Sequence, residues 1–210
     1  FINACAVLDI NVEWIMQKES DSYETCGITG LELDMILQSM CKAGDGSVNR
    51  LPDAVYVTSP DYLGNMLNIR ELADICHQYG ILLLVDNAHG AYLKFLEQSL
   101  HPMDLDADMC CDSAHKTLPV LTGGAYLHIA PAESNTGIMD IETKRFLAQN
   151  AKHALSLFAT TSPSYLILQS LDLCNDYLDN NGIIRETADK VRALKEKMAD
   201  AGYNVIGSFL

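Results

Sequence analysis

The chain has 210 residues, enough to bury a substantial core in one domain or in one domain plus part of another. Hydrophobic residues make up 49% of it and charged residues 20%, the range of a folded protein in water. Its formal net charge of −14 repels nucleic-acid phosphates and anionic lipid, so both are disfavoured as partners; attraction of a cationic substrate is compatible with that charge, although many acidic proteins are simply soluble.

The seven cysteines are scattered, odd in number and free of any C-x-x-C pair, which argues against a disulfide scaffold or a zinc site and for a reducing cytoplasm. The six histidines show no metal-ligand spacing, so no metal is expected, and His77, His101, His128 and His153 read as ordinary surface or core residues. No apolar run approaches the roughly 20 residues needed to span a bilayer. The chain opens on apolar Phe1-Ile2-Asn3-Ala4 with no initiating Met and closes just after a strand-like Val205-Ile206; it reads as a segment of a longer protein, truncated at both ends.

In chain order, residues 1–8 read as a helix end and Val12 to Met16 as a short buried strand. A helix starts at Leu31, with apolar positions 33, 36, 37 and 40 at helical spacing, and Asp45-Gly46 signals a turn. Ala54 to Val57 reads as a strand and Thr58 to Asp61 as a loop. Leu67 to Tyr79 is an amphipathic helix with Leu72, Ile75, Cys76 and Tyr79 on one face and Gly80 as its stop. Residues 81–85 are continuously apolar, as in a parallel strand covered on both faces. Further strands end near Cys111-Asp112 and cover Ala125 to Ile129. Helices follow over 139–158, 164–180 and 183–201, broken at Pro163 and Gly182, and Val205-Ile206 begins a second sheet. Alternating strands and helices predict an α/β fold with a mainly parallel sheet covered by helices. A partial major domain over 1–181 would lead into a smaller domain beginning at 182–210.

In open α/β sheets functional side chains gather at the carboxyl ends of strands. Three such ends carry chemistry-bearing residues: the loop Thr58 to Gly64 with Tyr62, then Asp86-Asn87-Ala88-His89-Gly90, then Asp112-Ser113-Ala114-His115-Lys116-Thr117 with Gly123-Gly124 beyond. Asp86 could merely cap the next turn, or it could keep a heteroaromatic nitrogen protonated. Ala88 is small enough for a flat ring to lie against it. Lys116 could be a solvated surface lysine; near a cationic cofactor and partly desolvated, its amine becomes a nucleophile for an aldehyde. Ser113 and His115 are donors suited to an anionic group such as a phosphate.

Val85-Asp86-Asn87-Ala88-His89-Gly90-Ala91, Asp112-Ser113-Ala114-His115-Lys116-Thr117-Leu118 and Thr161-Ser162-Pro163-Ser164-Tyr165 resemble the major domain of the bacterial ornithine/lysine/arginine decarboxylases. More closely they resemble its short branch, which lacks a response-regulator-like N-terminal domain. The resemblance runs from about Phe1 to at least Asn181. It implies the aspartate-aminotransferase type I fold, pyridoxal 5'-phosphate as cofactor, and decarboxylation of arginine, lysine or ornithine in polyamine biosynthesis, with arginine slightly favoured. It further implies a homodimer or higher homo-oligomer whose active site forms between subunits.

Carried over by position, the resemblance gives Lys116 the Schiff base and Asp86 the pyridine nitrogen. Ala88 would underlie the ring, Ser113 and His115 would contact the phosphate, and Tyr62 would edge the ring. His89 would sit near the ring's phenolic oxygen or the substrate carboxylate and is a candidate proton donor, as is the freed Lys116. The family's phosphate-cradling loop and ring-stacking histidine belong upstream of residue 1, and Gly27, Gly30, Gly44 and Gly46 do not form that cradle. Gly123-Gly124 replaces a more polar pair. Asp and Lys in this order also suit an aminotransferase or another lyase on the same scaffold. A non-catalytic assembly domain is the alternative from a different class.

Overall fold

The structure, a computed structural model, describes residues 2–16, 27–42, 51–131, 141–160, 162–179 and 182–205. The Asp45-Gly46 turn, Thr161 and Ile206 lie outside these residues. A four-stranded sheet runs β1 (Ala54–Thr58), β2 (Leu82–Asp86), β3 (Met109–Asp112), β4 (Tyr126–Ile129) in spatial order. The first three are parallel and β4 returns antiparallel to β3. Of the helices, α1 is Ile2–Val7, α2 Gly30–Lys42, α3 Ile69–Gln78 and α4 the single turn Ala114–Thr117; α5 (Ile141–Ser156), α6 (Tyr165–Asp179) and α7 (Ile183–Asp200) follow. Two 3₁₀ turns, Ala91–Phe95 and Pro102–Leu105, fill the connection between β2 and β3. The expected α/β architecture and its mainly parallel sheet are therefore present.

Local chemistry explains the boundaries. Thr29 and Glu32 form a reciprocal capping box at the start of α2: the Glu32 N–H donates to Thr29 Oγ1 at 3.2 Å and the Thr29 N–H to Glu32 Oε2 at 2.9 Å. Asn68 caps α3, and Gly80 ends it in the left-handed region at φ +71°.

Side chains alternate along each strand, so Val55, Val57, Leu83, Val85 and Cys110 share one face, called the back face below. Leu33 and Leu37 of α2 and Ile69, Leu72, Ala73 and Cys76 of α3 pack against it to form the main core. The opposite, front face carries Tyr56, Leu84, Asp86 and Cys111. It is half-buried at Leu82, Leu84 and Asp86 and open at Tyr56 and Cys111. The expectation that β2 is covered on both faces thus holds for the back face alone. A second cluster joins Ala91, Ala114 and Leu118 to Cys174 and Leu178 of α6, with Ile184 of α7 packed on it. It fixes the one-turn helix that carries Lys116.

Two expected strands are corrected. Val12 to Met16 forms no regular element, and Trp14 is 57% and Met16 81% exposed. An apolar run becomes a strand only when another strand offers it hydrogen bonds, and none among the described residues does. Val205 likewise belongs to no strand. The helices expected over 139–158, 164–180 and 183–201 are α5, α6 and α7, and α7 exposes its charges as expected, with Lys190 and Arg192 paired to Glu186 and Asp189.

Leu83 is fully buried at the centre of the sheet. Leu83→Ala should cost about 2–5 kcal/mol of unfolding free energy in urea titrations, and a loss under about 1 kcal/mol would place the core elsewhere.

Candidate active site

Parallel pairing in register puts Thr58 beside Asp86 and Asp86 beside Cys111, so the three strand mouths line up across the sheet. Asp86 lies on the front face. Its Oδ2 accepts from Tyr56 Oη at 3.0 Å and its Oδ1 from the Ala88 N–H at 3.0 Å. Burial, then the charge of Asp86, push the Tyr56 phenol far above its usual range, so it stays protonated and donates. The carboxylate thus closes the turn to Ala88 from the front face, as the capping reading expects.

Lys116 sits on the one-turn helix α4. Its Nζ lies 3.3 Å from His89 Nε2 and it forms no ion pair among the described residues. Burial and then the charges of Asp86 and Asp112 raise the pKa of the Cys111 thiol, while a backbone hydrogen bond from Asn87 and then the charge of Lys116 lower it.

The other expected site residues are placed as follows. His89 also meets the 89% exposed Tyr62, edge to face, with ring centroids 4.9 Å apart. An ammonium at Lys116 donates to Nε2, which puts the proton of a neutral His89 on Nδ1, a buried atom with no partner among the described residues. Ala88 is half-buried beside Asp86. Ser113 precedes α4 and its hydroxyl makes no capping bond. His115 lies 2.9 Å from the Gly124 carbonyl through Nδ1; a carbonyl only accepts, so Nδ1 carries the proton and Nε2 can donate to an anion only in the imidazolium form. Gly90 has φ −116° and needs no left-handed freedom. A Cβ there would strike Asn87 Oδ1, Leu93 and Pro60, so close packing requires the glycine.

Several site residues escaped sequence reasoning. Tyr56 is an exposed-looking strand tyrosine until β1 and β2 pair. His101 and His128, read as ordinary, both converge on Asp112: each Nε2 lies 3.0 Å from Asp112 Oδ2, and Asn87 Nδ2 donates to Asp112 Oδ1 at 2.7 Å. Burial alone would raise the Asp112 pKa, but these three bonds outweigh it and hold the carboxyl well below the ordinary range. Asp112 follows Cys110 by two residues and so belongs to the back face. Among the described residues no helix is long and apolar enough to cross a membrane.

The model of the Orn/Lys/Arg decarboxylase major domain matches residues 18–205. The chain belongs to that family. An arginine decarboxylase of Halalkalibacterium halodurans is 30% identical over 158 residues, 74% of this chain and 29% of that protein. The chain spans between a quarter and about a third of the curated relatives it matches. Among solved structures, the SepCysS–SepCysE N-terminal domain complex superposes with a TM-score of 0.63 at 14% identity, covering 98% of this chain and 51% of that one. Mouse CSAD gives 0.57 at 19%, covering 95% and 41%. These likenesses establish the fold, and the aspartate-aminotransferase type I architecture expected of this family is the one found.

The low Asp112 pKa has a consequence for stability. A carboxyl that ionises more readily folded than unfolded contributes stability above its unfolded value of 3.8, and loses it as pH falls through the folded pKa. The stability gap between the unaltered chain and Asp112→Asn should therefore hold steady from about pH 6 to about pH 5 and narrow from about pH 4 towards about pH 2. Urea unfolding across that range measures it; a gap independent of pH would contradict the assignment.

Proposed function

We propose that the protein to which this chain belongs decarboxylates a basic amino acid, arginine by preference, using pyridoxal 5'-phosphate held by Lys116. The observation that carries this reading is the 3.3 Å approach of Lys116 Nζ to His89 Nε2, which brings the amine beyond β3 to the mouth of β2, where Asp86 lies. The donor set suits the cofactor: an oriented carboxylate for a pyridine nitrogen, an amine that forms no ion pair among the described residues for an aldehyde, and Ser113 before α4 and His115 within it for a phosphate. Family membership supports the reaction, and the curated relatives named arginine decarboxylase support the substrate.

Bound pyridoxal phosphate supplies an electron sink for the pair left when carbon dioxide departs. The chain's own residues do the rest. Asp86, kept in place by Tyr56 Oη and the Ala88 N–H, offers a fixed negative charge to a ring nitrogen. Lys116 provides the amine that holds the aldehyde carbon. His89 Nε2, within hydrogen-bond reach of Lys116 Nζ, can take the proton that this amine must lose and hand one back. Ala88 leaves room beside Asp86 for a flat ring, and Tyr62 closes one edge against His89. His115 serves the phosphate as an imidazolium, with Nδ1 anchored on Gly124.

Within the same proposal the active protein is a cytoplasmic homodimer or higher homo-oligomer. Residues 1–181 form its partial major domain, and 182–210 open the smaller one. The support for that division is slight burial: α7 has no fully buried residue and reaches the rest through contacts such as Ile184 and Arg185 Nε to Phe95 O at 3.3 Å.

Incubation with pyridoxal phosphate, borohydride reduction and peptide mapping should place the label on Lys116 alone, with Lys116→Ala unlabelled. In the full-length protein, carbon dioxide should be released from arginine, lysine or ornithine without amino transfer to a keto acid. Label spread over several lysines, or amino transfer without carbon dioxide, would refute the reading.

A further inference from the structure

On the back face, opposite Asp86, lies a cluster that the proposed chemistry does not use. His101, Cys110 and Asp112 are buried and His128 is partly so, and one ligand-type atom from each lies within 4.8 Å of the others. These are the donor types of a zinc site, but the proton positions oppose one. The Met103 N–H donates to His101 Nδ1 at 3.3 Å, so Nδ1 holds the lone pair and the neutral ring carries its proton on Nε2, facing Asp112. A metal-bound histidine has the reverse arrangement, with the ring proton donated outward from the other nitrogen.

What the cluster does connect is the two strand mouths. Asn87 follows Asp86 and is fully buried. Its backbone N–H donates to the Cys111 carbonyl at 2.9 Å and its side-chain Nδ2 to Asp112 Oδ1 at 2.7 Å. Its Oδ1 is buried and has no partner among the described residues, so among them the side-chain amide is held by its Nδ2 end. Asp112 leads through Ser113 into α4 and Lys116. We infer that Asp112 is a positioning residue: gripped by His101 and His128, it locks Asn87 from behind the sheet and so fixes the distance between Asp86 and Lys116 on the front.

A carboxylate is needed for this. Donors from His101, His128 and Asn87 converge on its two oxygens, and an asparagine at 112 would turn an NH₂ group towards one of them. The functional consequence rests on the reading of Asp86 and Lys116 given above; the lock itself does not.

The test uses the folded chain and two variants, Asn87→Ala, which leaves the His101–Asp112–His128 grip intact, and Asp112→Asn. Amide exchange at residue 87 should speed up by about tenfold or more in each. Imidazole ¹⁵N spectra should show His101 protonated at Nε2, and the purified chain should hold no stoichiometric metal. The pyridoxal phosphate concentration that half-labels Lys116 under borohydride should rise by about tenfold in Asn87→Ala. Should Asp112→Asn fail to fold, Asn87→Ala decides alone. Unchanged exchange at residue 87, a His101 proton on Nδ1, one zinc per chain, or an unshifted labelling curve in the folded variant would overturn the proposal. If the unaltered chain takes no label at all, the cofactor reading fails, and exchange and tautomer still judge the lock.

Discussion

The constraint on which this molecule depends is parallel strand pairing in register between β2 and β3. It sets residue 86 beside residue 111 and, because side chains alternate, decides which groups share a face. Asp86, Cys111 and Tyr56 fall on the front, while Cys110 and Asp112 fall on the back. A slip of one residue between these strands would bring Asp86 and Asp112 onto the same face. The apolar back-face core of Val55, Val57, Leu83 and Val85 makes such a slip costly. Core packing therefore protects the chemistry: the hydrophobic face holds the register, and the register holds the charges.

The two faces handle charge differently. On the back, Asp112 is desolvated and must be matched, and it is matched by three side chains from three separate segments. Among the described residues, Asp86 on the front keeps a phenol and one amide, and Lys116 at the next mouth keeps an imidazole. An acid and a base left this lightly partnered at adjacent strand ends are poor contributors to stability and good receivers of a ligand. The −14 net charge adds a field that favours cationic molecules near this opening.

Local patterns were legible in the sequence. Helical spacing in Leu72, Ile75 and Cys76, the Gly80 stop and the apolar run before Asp86 all map onto observed elements. The candidate residues Asp86, His89, Ser113, His115 and Lys116 gather at two neighbouring mouths, with Tyr62 and Ala88 beside them. What was missed depends on contacts remote in sequence. Val12 to Met16 has the composition of a strand but finds no strand to pair with among the described residues. α4 is one turn long, too short for any periodicity to show. Tyr56 reaches Asp86 across 30 positions, and His101 and His128 meet on Asp112 only after β3 and β4 pair. A histidine's partner across a sheet leaves no mark on its neighbours in the chain.

A crystal structure of the chain grown with pyridoxal phosphate tests the central claim most directly. The account predicts density joined to Lys116 Nζ on the front face, with the ring nitrogen directed at Asp86. Density joined to another lysine, or a ring held with Asp86 and Lys116 on opposite sides of the sheet, would contradict it.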